Sequence, residues 1–151
     1  MTLPQNPIFY ALVMLLTGVG IPIMAALNAG LGTRLQNPAL AAVILCFVAM
    51  VASLLYLVMV IGVPATFRAP ATPFYFYLGG LFIVFYVLSV TWIAPRFGIG
   101  NAVAFVLLGQ LLSMATIDQF GLMGAPQTTL NLSRLAGLVF MAIGVFLVVR
   151  K

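Results

Sequence analysis

Five long apolar runs, at residues 8–31, 38–63, 74–94, 98–118 and 132–149, occupy most of this chain of 151 residues. Each holds about 18 residues or more, enough to cross a ~30 Å hydrocarbon core at a helical rise of ~1.5 Å per residue. The expected fold class is therefore an all-α membrane protein, one domain over residues 1–151 with five transmembrane helices. An odd number of spans puts the two ends of the chain on opposite sides of the membrane. One copy also has too few helices to enclose much of a solute pathway. The composition fits a bilayer: 65% of residues are hydrophobic and 5% charged, against about 25% charged in a soluble domain.

Several function classes fall away on residue content alone. The net charge of +5 comes from six scattered basic residues and one acid, so no basic patch exists for a nucleic acid. The segments between spans are short, which leaves no soluble enzyme domain. Residues 1–7 carry no Lys or Arg, and the apolar run that follows is longer than a signal-peptide core, so the first run is expected to stay as a span. There is no His and no Glu, with one Asp and one Cys. No paired carboxylates, nucleophilic triad or metal-ligand cluster can be assembled from such a set, and the scattered glycines form no phosphate loop. Neither an enzymatic activity nor a cofactor is expected. Cys46 has no partner for an intrachain disulfide.

Charge also bears on orientation. Five spans put Arg68 and Arg134 on the N-terminal side, and Arg34, Arg96, Arg150 and Lys151 on the other. The excess of basic residues places the C-terminus in the cytoplasm. The difference is four against two, small enough that a fixed orientation and a dual topology both stay open.

Few polar groups interrupt the spans. The first holds Gly18, Gly20 and Pro22. Pro22 lacks an N–H and its ring opposes the carbonyl of Gly18, which predicts a kink, either a structural bend or a part of a solute site. Asn28 shares a face with Gly18, Ile21 and Ala25, and either bonds across to another helix or lines a polar cavity. In the second span Ala42, Cys46, Ala49, Ser53 and Tyr56 form one small-residue stripe, which predicts helix packing. The third opens on Phe74 to Tyr77, suited to the headgroup interface, continues with Phe82, Phe85, Tyr86, Ser89 and Trp92, and ends at Pro95, with Arg96 next. Its aromatic residues serve packing, or form a wall for an organic cation or a planar neutral solute. The fourth carries Gln110 near its middle, Ser113 on the same face and Asp118 near its end, with Gly109 and Ser113 as a small-xxx-small pair. Gly137, Met141 and Gly144 line one face of the fifth.

Four stretches are more specific: GIPIMAALNAGLG, FYVLSVTWIAPRFGIGNAVAFVLLGQL, IDQFGLMG and SRLAGLVFMAIGVFLVV. Together they resemble the YdcZ-type branch of the drug/metabolite transporter superfamily, small bacterial inner-membrane proteins of about five spans. The resemblance covers nearly the whole chain. It implies a half-transporter that pairs with an inverted copy of itself, because larger members of the superfamily look like two five-span halves in inverted repeat. An antiparallel homodimer would have a site near the midplane and could work by alternating access. Departures are visible. Ala49 and Met50 stand where the family usually has Gly-Thr, and Gly30 where it often has Arg. The small multidrug resistance proteins bind cations and protons on a Glu in their first span, and this chain has no Glu, so that mechanism does not carry over.

The expectation that results is a secondary transporter of a small organic metabolite or drug-like solute. Its pathway would be lined by Pro22, Asn28, Tyr86, Ser89, Trp92, Gln110 and Ser113 from two inverted copies in the bilayer. Asp118 is expected to pair with the partner copy's Arg96 or Arg34, or with its own Arg134, and Gly109, Gly137 and Gly144 to serve helix or dimer packing. Two other functions fit the same spans: an accessory membrane subunit without transport, and a flippase for a lipid-linked substrate.

Overall fold

A computed structural model describes residues 7–64, 72–129 and 131–149. Arg68, Arg150 and Lys151, which carry half of the charge comparison across the membrane, lie outside the described residues. The described chain is a series of helices: α1 (Pro7–Arg34), α2 (Pro38–Tyr56), α3 (Gly79–Phe97), α4 (Ile99–Phe120) and α5 (Leu132–Val149). A π-helical turn, Leu57–Ile61, extends α2, and a 3₁₀ turn, Phe74–Leu78, leads into α3. Among the described residues, five helical segments are long and apolar enough to cross a membrane. Helices suit that setting because every backbone hydrogen bond is made within the segment.

One proline expectation changes. Helix α1 continues past Pro22. Helix α3 continues past Pro95, so the third span ends at Phe97 and not at Pro95. Proline removes one hydrogen bond, yet its fixed φ is compatible with a helix. Near the end of α3 the side chains add their own bonds to the carbonyls: Arg96 Nη1 donates to Trp92 O at 2.5 Å, and beyond it Asn101 Nδ2 donates to Phe97 O at 2.9 Å. The helix stops at Gly98, whose φ of 92° few other residues adopt.

The α1–α2 turn is closed by its own backbone. Gln36 lies in the left-handed region at φ 51°. Its N–H bonds to Thr33 O at 3.2 Å, and the N–H of Asn37 bonds to Gly32 O at 3.1 Å. These are the two bonds of a Schellman cap. Asn37 then caps α2, accepting from Leu40 N at 3.0 Å, with Pro38 at the first helical position. One turn thus ends α1 and starts α2 with most backbone groups satisfied.

The chain divides after Arg96 into two compact units, one holding α1 to α3 and the other α4 and α5. In the first, the buried residues are Ala25, Asn28, Ala29 and Gly32 of α1, Ala41 and Ala42 of α2, and Val87, Val90, Thr91 and Ala94 of α3. On α1 and α3 they recur every three or four residues, one face of each helix. None is larger than Val or Asn, so the backbones approach closely, as helices in lipid do. The small-residue stripe expected on α2 packs only at its start. Ala42 is buried and Cys46 half-buried, while Ala49, Ser53 and Tyr56 are exposed. The small residues of α1 meet those of α2 near the turn, and farther along the two helices leave a cleft between them.

In the second unit α4 ends at Gly121, in the left-handed region at φ 58°, and the chain turns back towards α5. Thr128 N donates to Asp118 O at 2.8 Å and Gln127 Nε2 to Gln119 O at 3.1 Å, tying the connection to the end of α4. Gly109, Gly137 and Gly144 are exposed, with open space where a Cβ would stand.

Candidate functional site

A buried polar contact within the first unit joins α1 to α3. Asn28 Nδ2 donates to Thr91 Oγ1 at 2.5 Å, and Thr91 Oγ1 donates its single proton to Val87 O at 2.6 Å. Both residues are buried, at 5% and 2% exposure. A hydroxyl that has given its proton away can only accept from a neighbour. Thr91 therefore requires the NH₂ end of the Asn28 amide and fixes which way that amide points. Its carbonyl oxygen Oδ1 is left without a hydrogen bond among the described residues. One turn along α1, Gly32 lies directly against Thr91. A Cβ at position 32 would stand 2.8 Å from Thr91 Cγ2 and 3.4 Å from Pro38 Cα.

Three recesses surround this contact within the first unit. A cleft of about 390 Å³ lies between α1 and α2, and Asn28 is its one polar lining residue, among Met24, Leu27, Ile44, Leu45 and Val48. A second of about 410 Å³ is lined by Ser89 and Trp92 of α3 and by Asn37 and Pro38 at the start of α2. A third, of about 330 Å³, lies beside the α1–α2 turn and takes in Thr33, Gln36, Thr91 and Arg96. The Arg96 guanidinium stacks over Trp92, 5.1 Å from the ring centroid. Tyr86 Oη is buried without a hydrogen-bond partner. Arg34 is exposed in the last turn of α1, a favourable place for a cation. Pro22 is half-buried and lines none of the three recesses.

The remaining expected residues belong to the second unit. Gln110 and Ser113 are exposed on α4, and their side chains make no hydrogen bond among the described residues. Asp118 is half-buried and forms an ion pair with Arg134 of the same chain. Arg134 also donates from Nη1 to Thr128 O at 3.5 Å, and its backbone N–H to Asn131 Oδ1 at 2.8 Å. The sole acid is thus built into the α4–α5 connection.

Two residues of this arrangement, Thr91 and Gly32, were not singled out by the sequence pattern. The spacing of Asn28 and Gly32 places both on one face of α1, which was a usable cue. Nothing distinguishes Thr91 from the other hydroxyls of the spans until α1 and α3 are packed.

The model of the family described as "Putative inner membrane exporter, YdcZ" matches residues 9–147. No curated protein and no solved structure matches the chain.

Proposed function

The chain belongs to the YdcZ family of inner-membrane exporters, and from that premise we propose that it is a secondary transporter of a small organic solute, working by alternating access between two inverted copies. The family match supports a transporter role and a multi-pass place in the inner membrane. Gln110 carries the finer reading. It is an exposed amide near the middle of a span, with no hydrogen bond among the described residues. In hydrocarbon an amide without a partner costs several kcal/mol, so it calls for a group that its own unit, α4 and α5, does not supply. A second copy or a solute answers that need, and Ser113 on the same face shares it. Tyr86, Ser89 and Trp92 add polar groups on α3, while Pro22 weakens α1 at one backbone bond. Asp118 is engaged by Arg134 and is assigned to structure rather than to proton coupling.

Protein reconstituted in liposomes should show saturable solute flux, and Gln110→Leu should lower it by about tenfold, the worth of one well-placed hydrogen bond. Unchanged flux removes Gln110 from the pathway. Orientation is tested separately by Thr129→Cys in a Cys46→Ser background. A membrane-impermeant maleimide should label about half of the molecules from outside the cell and the rest only after permeabilisation, as inverted copies require. Labelling from one side alone rules out the inverted pair.

A further inference from the structure

We propose that the cleft between α1 and α2 is a binding site for a neutral, mainly apolar solute carrying one hydroxyl or N–H group, which donates to Asn28 Oδ1. The inference rests on the transporter reading only for its role in flux; the binding itself stands on the cleft. Its volume of about 390 Å³ falls within the ~300–1,000 Å³ of small-molecule sites. Its walls are Met, Leu, Ile, Val and Ala side chains with no charged group, so an ionic ligand would enter unpaired at a large desolvation cost. The one polar lining residue is Asn28, itself 5% exposed. Thr91 holds its NH₂ end and gives its own proton to Val87 O. The oxygen end is therefore the group without a partner. Oδ1 is not enclosed by protein, and in hydrocarbon an acceptor without a partner is unfavourable; a solute donor in the cleft would supply the missing bond. A lipid acyl chain could fill the apolar walls but offers no donor. This difference separates an adapted site from a groove in contact with lipid. Thr91 is a positioning residue here: it sets the orientation of the amide and does not touch the solute.

The test uses two photoreactive probes on the full chain in lipid: a medium-chain alcohol bearing a diazirine, and its methyl ether, which has no donor. Labelled residues are mapped by mass spectrometry. The wild type should be labelled along residues 44–52, with the alcohol favoured about tenfold over the ether. Asn28→Leu should abolish that preference while ether labelling remains, and Thr91→Ser, which keeps the hydroxyl, should preserve it. Equal labelling by the two probes in the wild type overturns the proposal, whatever the variants do. Because Asn28→Leu removes a buried bond and can unfold the unit, Ala49→Phe provides a second check. Ala49 is an exposed lining residue, and a ring there should fill the cleft and remove labelling by both probes. Labelling of residues 44–52 that survives Ala49→Phe also overturns the proposal. Flux is read in parallel. Flux without cleft labelling sinks the site and leaves the transporter standing. Labelling with the expected preference, but flux untouched by Ala49→Phe, keeps the site and removes it from the pathway.

Discussion

Gly32→Ala is expected to destabilise the three-helix unit by about 2 kcal/mol, within the range for overpacking a tight core, and Thr91→Ser is expected to return most of that loss. The new Cβ would stand 2.8 Å from Thr91 Cγ2, closer than carbon atoms approach without movement. Thr91 cannot swing its methyl aside freely, because Oγ1 is held at once by Val87 O and Asn28 Nδ2. Serine keeps the hydroxyl and deletes the methyl that clashes. The two substitutions should therefore be strongly non-additive, with a coupling of about 1–2 kcal/mol, as for residues in direct contact. Thr91→Val supplies the opposite control. It keeps the bulk, loses the hydroxyl, and leaves the Asn28 N–H groups buried without an acceptor, so it should worsen Gly32→Ala instead of rescuing it. Trp92, the only tryptophan, reports thermal unfolding from the adjacent position. Additive effects of Gly32→Ala and Thr91→Ser would falsify the close contact between α1 and α3.

That contact also marks where sequence reasoning stops. Five spans can be read from hydropathy, because the bilayer imposes one simple requirement on each segment. Helix ends are less legible. The apolar runs leave Arg34 and Arg96 outside the spans, yet both lie in the last turn of a helix, where a cation meets the negative end of the helix dipole. Packing was hardest to foresee. An amide in a span needs a partner, which gives Asn28 two expected roles, a bond to another helix or a place in a polar cavity. It bonds across to Thr91 of α3, and the cleft it also lines is apolar apart from Asn28 itself, unlike the polar cavity of the second expectation. Small residues, by contrast, occur on nearly every helix face. The stripe of Ala42, Cys46, Ala49, Ser53 and Tyr56 has the right period, yet only its first member is buried. Periodicity tells which residues share a face and not how far along that face a neighbour stays in contact. Gly32 and Thr91 meet through a crossing of α1 and α3 that no local pattern encodes.

Exchanging the charges of Asp118 and Arg134 is the second decisive experiment, because it separates a structural carboxylate from one that carries protons. Either single reversal sets two like charges against each other in a half-buried place, with the native side chains 27% and 26% exposed. Solvent weakens the interaction there, and a cost of about 1–3 kcal/mol lies between the values for exposed and buried pairs. Hydrogen exchange at the Thr128 amide, which donates to Asp118 O at 2.8 Å, reads the loss directly. Asp118→Arg with Arg134→Asp should restore protection, since the same two groups face each other in reverse. The competing partner, Arg96 of an inverted copy, is tested by reversing 96 and 118 together. Recovery of dimerisation in that variant, without recovery of Thr128 protection, would assign a second role to the same carboxylate. A carboxylate that only braces the α4–α5 connection can move to position 134 with transport intact. One that loads and releases protons within the cycle cannot, because its position relative to the pathway changes. Restored protection with restored flux therefore makes this a transporter whose only acid is structural; restored protection with lost flux makes position 118 itself part of the cycle.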